Sequence, residues 1–325
     1  MNALDATPAP LPRFVQIHRE DDAALRVELV RGLMLPAAEV APKFLYDALG
    51  SRLFEAITEL PEYYPTRTEA AIFQADGPAM AQAIGAGATL IDLGAGNCAK
   101  AARLLTLLDA RRYVAVDISV DFLRDALQAL ARLHPRLSTL GIGLDFSNAL
   151  DLPAEACEGR PVFFYPGSSI GNFNRPQALA FLRRIRERAS GGGLLIGVDL
   201  VKPVEILEPA YDDTLGVTAA FNLNLLRYLN RLIGSDFDPR QWRHIAFFDT
   251  AQSRIEMHLQ AREALRVRWA GGERGFTEGE RIHTENSYKH TLEGFAALLR
   301  EAGFEATRHW TDAQQWFAVW WARAG

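Results

Sequence analysis

The fold is decided by the stretch Asp92-Leu-Gly94-Ala-Gly96-Asn-Cys-Ala99. The residues before it, 89–93, form a short apolar run typical of a buried strand, and residues 99–108 have the periodicity of a helix. Glycines at 94 and 96 let the backbone approach a ligand closely, and the start of a helix leaves backbone N–H groups unpaired. A strand, a glycine loop and a helix in this order predict a nucleotide-binding turn.

A carboxylate follows at the position where such turns use one. Asp117 ends the next apolar strand, 21 residues after Gly96, and there it can accept hydrogen bonds from both hydroxyls of a ribose. The same spacing, with Ala99 in the third position, also fits the dinucleotide pattern G-x-G-x-x-G/A. The loop alone therefore leaves a nicotinamide cofactor and S-adenosylmethionine open. A turn without any ligand is disfavoured because the loop and the acid occur together.

Outward from the loop, strands alternate with helices. Strands are predicted at 89–93, 113–117, 137–146, 161–165 and 194–200, and helices at 23–34, 44–60, 66–86, 99–108, 120–133 and 176–189. Such alternation predicts a parallel sheet covered on both faces. Residues 201–288 interrupt the pattern, which resumes with a helix at 292–302 and strands at 305–310 and 316–322. The expected fold is α/β, with five parallel strands, a terminal antiparallel hairpin and an insert after the fifth strand.

The terminal hairpin favours S-adenosylmethionine over a dinucleotide. A two-half dinucleotide fold would continue with a further strand–helix–strand unit. Asp92, two residues before Gly94, gives the acid-x-Gly-x-Gly loop of class I methyltransferases. Asp145 and Phe146 follow the third predicted strand, where an acid and an apolar ring can contact the amino group and the face of adenine.

A second motif indicates a different class of enzyme. The stretch Gly167-Ser-Ser169-Ile-Gly171 matches the G-x-S-x-G turn of α/β-hydrolases, and His244, His283 and His309 are candidate partners for Ser169. However, the next helix begins several residues later, near Pro176, and no His-Gly-Gly segment for an oxyanion hole lies upstream. We interpret the match as accidental and keep a serine hydrolase as the alternative from another class.

Composition excludes several other functions. With 325 residues the chain is long enough for about two domains, and 35 Lys+Arg against 40 Asp+Glu give a net charge of −5, which argues against nucleic-acid binding. Cys98 and Cys157 form neither a disulfide framework nor a zinc motif, and the seven histidines have no metal-ligand spacing, so no metal is expected. The absence of a long apolar run or a signal peptide predicts a soluble, cytoplasmic protein without a membrane segment.

Eight strings of sequence occur in an order typical of one protein family. They are Phe44-Leu-Tyr-Asp-Ala-Leu-Gly-Ser-Arg-Leu-Phe54, Leu60-Pro-Glu-Tyr-Tyr-Pro-Thr-Arg-Thr-Glu69, Asp92-Leu-Gly-Ala-Gly96, Gly167-Ser-Ser-Ile-Gly-Asn172, Ala210-Tyr-Asp-Asp213, Gly216-Val-Thr-Ala-Ala-Phe-Asn222, Arg254-Ile-Glu-Met257 and Thr284-Glu-Asn-Ser-Tyr-Lys289. From about Pro42 to its end the chain resembles the histidine-specific methyltransferases, which trimethylate the α-amino group of L-histidine to hercynine in ergothioneine biosynthesis. The strings are less specific for the substrate, because relatives that act on tryptophan-type amines share most of them.

The resemblance implies a role for particular residues. The expected contacts of the methyl donor, S-adenosyl-L-methionine, are Gly94, Lys100, Asp117, Asp145 and Phe146. The expected contacts of the small-molecule substrate, L-histidine, are Tyr63, Asn172 and Tyr211 for alignment and Glu285, Asn286 and Ser287, of which Glu285 and Ser287 contact the imidazole. Weaker candidates are Tyr46, Phe54 and Met257, and packing within a helix explains the first two equally well.

The resemblance also implies a division of the chain. Residues 67–200 and 289–325 form the methyltransferase domain, and residues 1–66 and 201–288 form a smaller α+β substrate-binding domain that closes over the donor. The protein is expected to act as a monomer. Within the enzymes, the alternative is an N-methyltransferase of another aromatic amino acid, such as a tryptophan derivative.

Overall fold

The computed structural model describes residues 12–17, 22–146 and 149–325. Its largest sheet has eight strands, in the spatial order β1 (Arg13–Gln16), β5 (Ser138–Gly143), β4 (Arg112–Asp117), β3 (Thr89–Leu93), β6 (Pro161–Tyr165), β7 (Gly193–Asp199), β14 (Phe317–Arg323) and β13 (Ala306–Thr311). The first six strands are parallel, whereas β14 is antiparallel to both β7 and β13. The predicted α/β class, with its central parallel sheet and its terminal hairpin, is confirmed.

The sixth parallel strand, β1, was not predicted. Phe14 pairs with Gly141 of β5, and a Cβ atom on Gly141 would lie only 2.5 Å from the Phe14 ring. The glycine therefore makes room for the ring on the edge strand. Residues 13–16 thus belong to the large sheet, although they fall within the 1–66 segment that was expected in the smaller domain. Residues 1–11 and 18–21 of that segment lie outside the described residues.

Helices cover both faces of the large sheet. The described helices are α1 (Asp22–Leu33), α2 (Ala48–Thr58), α3 (Tyr64–Ile84), α4 (Ala99–Leu107), α5 (Val120–Leu133), α6 (Arg175–Arg188), α7 (Val204–Leu207), α8 (Val217–Ile233) and α9 (Leu292–Glu301). Successive residues of a strand point to opposite faces, so Leu90 packs against α3, α4 and α5 while Ile91 packs in the core that includes α6 and α9. Within the described residues no helix combines the length and the apolar character that crossing a membrane requires.

Two helices begin elsewhere than predicted. The Asp47 side chain accepts a hydrogen bond of 2.8 Å from the backbone N–H of Gly50, so α2 begins at Ala48 and residues 42–45 form a separate 3-10 turn. Helix α3 begins at Tyr64 rather than at residue 66, and Glu69 lies inside it. The prediction of one helix over 44–60 and of a helix start at 66 was therefore wrong.

A second sheet and a second hydrophobic core lie apart from the large sheet. The sheet has the order β2 (Ala38–Glu39), β12 (Arg281–Tyr288), β9 (Arg254–Ala261) and β8 (Trp242–Asp249), and a hairpin of β10 (Leu265–Trp269) and β11 (Gly272–Phe276) accompanies it. Its core combines residues of α1, α2 and α8 with residues of these strands, such as Leu29, Ile57, Leu225, Leu259 and Ile282. A β-bulge between His283 and Glu285 shifts the register of β12 against β9.

Candidate active site

A pocket opens between the end of β6 and the second sheet. Its lining residues are Tyr46, Phe54, Ile57, Tyr63, Gly167, Ser168, Ser169, Asn172, Ala210, Tyr211, Thr218, Phe221, Met257, Glu285 and Ser287. The structure therefore brings together all of the residues that were expected to contact the substrate except Asn286. Thr218, Phe221 and Ser168 also line the pocket and were not singled out from the sequence.

The loop after β6 forms one wall of the pocket and adopts a left-handed turn. Gly167 has φ +77° and Ser168 has φ +59°. The Gly167 N–H donates to Oε1 of Glu69 at 2.7 Å, and Lys100 donates to the other oxygen of Glu69 at 2.6 Å. Glu69 is 1% exposed, so this buried carboxylate ties helix α4 to the pocket loop. No sequence pattern indicates this role for Glu69, because Thr66 and Glu69 have the spacing of a helix cap.

Strand β12 supplies the polar wall opposite. Glu285 and Ser287 are two residues apart, so their side chains share one face of the strand, and Met257 of β9 pairs with Glu285. Glu285 is 8% exposed, and its Oε2 atom has no hydrogen-bond partner among the described residues. Burial raises the pKa of Glu285 to about 7, and the positive charge of Lys289 limits that rise. The pocket thus holds a buried carboxyl group with an open acceptor.

Asn286 lies on the other face of β12. Its Oδ1 atom is 2.9 Å from Nε2 of His283 and accepts a hydrogen bond from it. The structure does not bring this residue into the pocket, because a strand turns every second side chain away.

The same outer face holds a group of possible metal ligands. Ligand atoms of Glu256, His258 and His283 lie within 4.8 Å of one another. Glu256 accepts from Arg254 and from Nε2 of His258 at 2.8 Å, and Nε2 of His283 contacts Asn286, whereas Nδ1 of His258 is buried without a partner among the described residues. Burial lowers the pKa of His258 to about 4. We interpret the group as a hydrogen-bond network on the side of the sheet away from the pocket.

The glycine loop lies at the carboxyl ends of β3 and β4. Gly94 has φ +73° and Gly96 has φ +51°, so both adopt the left-handed region that favours glycine. The Asp117 carboxylate accepts from the Gly96 N–H at 2.9 Å and from the Ser119 N–H at 2.8 Å. Burial raises the pKa of Asp117, and these backbone hydrogen bonds counteract the rise. Two oxygens offer about four lone-pair directions, so Asp117 retains capacity for a ligand.

The other expected donor contacts surround this loop. Phe146 stands over Gly94, since a Cβ atom there would lie 3.7 Å from the ring. Asp145 lies 3.3 Å from Nζ of Lys43, and Lys100 contacts Glu69. Asp92 accepts from the Tyr113 hydroxyl at 2.7 Å, while its Oδ1 atom is buried without a partner among the described residues. Burial raises the pKa of Asp92 to about 7.

The alternative serine site does not assemble. Ser169 donates to the carbonyl of Pro166 at 3.2 Å. His244 lies 2.8 Å from the Tyr211 carbonyl, His283 contacts Asn286, and the ring of His309 lies 4.5 Å from that of Trp320. Across the described ranges, none of these three histidines is hydrogen-bonded to Ser169.

Comparison with known proteins also indicates a methyltransferase. A family model described as histidine-specific, SAM-dependent methyltransferase matches residues 25–324. The histidine N-alpha-methyltransferase of Mycolicibacterium smegmatis is 40% identical over 296 residues, covering 89% of this chain and 91% of that protein. That of Mycobacterium tuberculosis is 38% identical over 308 residues, covering 91% and 94%. Ergothioneine biosynthesis protein 1 of Neurospora crassa is 34% identical over 296 residues, covering 84% of this chain and 32% of that protein. This chain therefore belongs to the family of histidine-specific, S-adenosylmethionine-dependent methyltransferases.

Proposed function

We propose that the protein transfers three methyl groups from S-adenosylmethionine to the α-amino group of L-histidine and so makes hercynine for ergothioneine biosynthesis. The observation that carries this proposal is the open carboxyl group of Glu285 beside the Ser287 hydroxyl in a single pocket. A neutral imidazole has one N–H donor and one acceptor nitrogen. The carboxylate accepts from the N–H and the hydroxyl donates to the other nitrogen, so both ring nitrogens are satisfied together.

The part of the pocket beside Ser287 suits the amino-acid end of the substrate, since the Tyr211 hydroxyl lies 2.7 Å from the Ser287 hydroxyl. Asn172 and Tyr211 offer neutral donors to the α-carboxylate, and Tyr63 lies beside Tyr211 with ring centroids 6.2 Å apart. Holding histidine by its carboxylate and its ring leaves the amine free to rotate between methyl transfers. This explains how one nitrogen accepts three methyl groups in succession.

The residues around the glycine loop fit the methyl donor. Gly94 and Gly96 give the close backbone approach, and Asp117 retains acceptor capacity for a ribose beside its two backbone contacts. Asp92 has a buried oxygen without a partner in the described part of the chain. We assign Asp145 and Phe146 to the adenine and Lys100 to the methionine end. When bound, the sulfonium supplies an activated methyl group.

The protein's own contribution is alignment. Reacting atoms must lie about 3–3.5 Å apart, and orientation alone lowers a barrier by several kcal/mol. An α-amine has a pKa of about 7.7–8.0, so a neutral fraction exists near neutral pH without a strong base. Tyr46, Phe54 and Phe221 pack against one another with centroids 5.5–6.0 Å apart. Their π faces stabilise the growing positive charge of the quaternary ammonium.

We also infer that the chain divides into a class I methyltransferase domain (67–200 and 289–325) and a smaller substrate-binding domain (1–66 and 201–288), with residues 13–16 reassigned to the first. The separate sheet and hydrophobic core of the second part support this division.

Mass spectrometry tests the function directly. The protein is incubated with S-adenosylmethionine and, separately, histidine, tryptophan or phenylalanine. We expect trimethylated histidine with three equivalents of S-adenosylhomocysteine. A product that stops at monomethylhistidine with excess donor, or a preference for tryptophan, would contradict the proposal. Ser169→Ala should retain methyl transfer, and a fluorophosphonate probe should leave Ser169 unlabelled.

A further inference from the structure

A buried lysine lies directly behind the polar wall of the pocket. Lys289 follows β12 and its side chain is 0% exposed. Its ammonium lies 2.8 Å from the Tyr211 hydroxyl, 2.8 Å from the Ser287 hydroxyl and 2.8 Å from Oδ2 of Asp199. An ammonium has three hydrogens, so these three contacts use all of them. The lysine is therefore fully committed to two pocket hydroxyls and one buried carboxylate.

A second buried lysine also contacts Asp199, but it does not contact the hydroxyls of Tyr211 and Ser287. Lys202 lies 2.6 Å from Oδ1 of Asp199, 2.5 Å from the Leu200 carbonyl and 2.8 Å from the Tyr64 hydroxyl. Burial opposes ionisation of Asp199, but Lys289 and Lys202 outweigh it and lower the pKa of Asp199. With both lysines charged, the group carries one positive charge in excess, and Lys289 is its member nearest the pocket.

The contacts of Lys289 determine what the two hydroxyls can do. An ammonium only donates, so the oxygens of Tyr211 and Ser287 accept from it, and their own hydrogens must go elsewhere. The two hydroxyls lie 2.7 Å apart, so one hydrogen bridges them in this structure. A substrate carboxylate at Tyr211 and a ring nitrogen at Ser287 would take both hydrogens. Burial raises the pKa of Tyr211, which keeps its hydroxyl protonated as a donor.

The pocket also lacks a cation of its own. Among its described lining residues there is no lysine, arginine or histidine, and Glu285 is the acidic one. A histidine bound there brings a second carboxylate close to Glu285. Lys289 is the cation placed to balance this negative charge through the Tyr211 hydroxyl.

We propose that Lys289 is a positioning residue for the amino-acid substrate: it fixes the hydroxyls of Tyr211 and Ser287 as donors into the pocket and balances the charge of the substrate carboxylate. This inference rests on the proposed function, because it requires an acceptor with a carboxylate and a ring nitrogen.

The test compares two isosteric variants, Lys289→Met and Lys202→Met. Both remove a buried cation from Asp199, but only the first removes contacts with the pocket hydroxyls. We expect Lys289→Met to raise the KM and the calorimetric Kd for histidine tenfold or more, with donor Kd unchanged within about twofold. Lys202→Met should change histidine Kd by less than threefold. Equal losses in the two variants would show a merely structural role and overturn the proposal.

A double-mutant cycle asks whether Lys289 acts through Ser287. Lys289→Met should increase the histidine Kd several-fold less in a Ser287→Ala background than in the wild type. The same fold increase in both backgrounds would show that the two residues act independently and would contradict the proposal. If Lys289→Met alone does not fold, Lys289→Met/Asp199→Asn removes the charged pair together and is measured against Asp199→Asn. Wild-type methylation of histidine is measured first: its absence rejects the proposed function, whereas its presence with an unchanged Kd in Lys289→Met rejects only this inference.

Discussion

Glu285 combines burial with an open hydrogen-bond acceptor, and this combination makes the pocket sensitive to pH. Burial raises the pKa of Glu285 to about 7, well above the ordinary value for a glutamate, so its proton is held more strongly in the folded chain. The sign follows from linkage: the stabilisation from the bound proton is fully present below about pH 4 and is lost as the pH rises through about 7. The carboxylate that accepts from the imidazole N–H forms over the same upper range.

This leads to a prediction for the pH profile of Glu285→Gln. The glutamine keeps the shape of the side chain but does not titrate, whereas deprotonation of the substrate amine affects both proteins equally. The ratio of kcat/KM for histidine, wild type over variant, should therefore increase with pH and have its midpoint near 7. The measurement is kcat/KM from pH 5.5 to 9. A ratio that stays flat across this range would show that ionisation of Glu285 in the free enzyme does not control the reaction with histidine.

Asn286 provides a control for substitution of Ser287, because the two neighbours point to opposite faces of β12. Asn286→Ala removes a hydrogen bond to His283 on the outer face and should leave the KM for histidine within about twofold of the wild type. Ser287→Ala removes a pocket hydroxyl and should raise KM tenfold or more, because a ring nitrogen then lacks its donor. The measurement is the KM for histidine of the two variants, obtained from steady-state kinetics. A larger effect from Asn286 would mean that substrate binding rearranges β12.

Single residues differ in how far the sequence can predict them. Tyr63, Tyr211 and Glu285 could be predicted because they lie in strings that resemble one family, and each lines the pocket. Asn286 could not be separated from its neighbours until β12 was known to be a strand. Lys289 and Tyr211 are 78 positions apart, and no local pattern indicates that such residues will meet.

At the scale of elements, the start of α8 connects helix stability to the pocket. Asp213 accepts from the backbone N–H of Val217 at 3.0 Å and of Thr218 at 2.7 Å. Burial acts to raise the pKa of Asp213, but these hydrogen bonds outweigh it and lower the pKa below its usual value. Thr218 itself lines the pocket, and Tyr211 lies two residues before Asp213. Although Gly216 holds the N-cap position of α8, the Asp213 carboxylate caps its first two N–H groups and therefore fixes a helix start and a pocket wall together.

We expect Asp213→Ala to lower the free energy of unfolding by about 1 kcal/mol at pH 7, the usual loss for a helix cap. Its neighbour gives the control, because Asp212 has a side chain that is 58% exposed and Asp212→Ala should change stability little. A lowered pKa means that the cap's contribution is present above about pH 4 and declines as the pH falls further. Urea denaturation at several pH values measures it, and equal losses in both variants would argue against a specific cap.

Elements with a strong periodic pattern were predicted well, and short or interrupted ones were not. Strands β3, β6 and β7 are mostly apolar and are buried at every position. Strand β1 has only four residues, two of them polar, and depends on its partner β5 for identification as a strand. The start of α2 depends on one hydrogen bond that the Asp47 side chain accepts from the Gly50 N–H, which periodicity does not reveal.

At the scale of the whole molecule, the part built on the large sheet and the part built on the second sheet meet around the pocket and the glycine loop. Three contacts link residues 42–58 to the donor side: Lys43 lies 3.3 Å from Asp145, Asn97 donates to Glu55 at 3.2 Å, and Ser119 donates to the Tyr46 carbonyl at 3.3 Å. Tyr46 also lines the pocket. Residues 42–58 therefore contact both the donor-binding residues and the substrate pocket. Because each ligand would order this shared segment, we expect binding of one ligand to increase the affinity for the other.

The ion pair of Lys43 with Asp145 is the link best suited to test this coupling, because its side chains are only 17% and 12% exposed and are little screened by solvent. S-adenosylhomocysteine should increase the affinity for histidine, and Lys43→Met should reduce that increase by a factor of about five, equivalent to a coupling of about 1 kcal/mol. Arg266→Met is the control, since Arg266 is 57% exposed and pairs with Glu273 within the hairpin of β10 and β11. The measurement is the calorimetric Kd of each ligand with and without the other. Linkage requires each ligand to change the Kd of the other by the same factor, so the two series of measurements check one another. An unchanged factor in Lys43→Met would mean that the coupling does not pass through the contact between Lys43 and Asp145, which then only stabilises the fold. A factor of one in the wild type would mean that the two ligands bind independently.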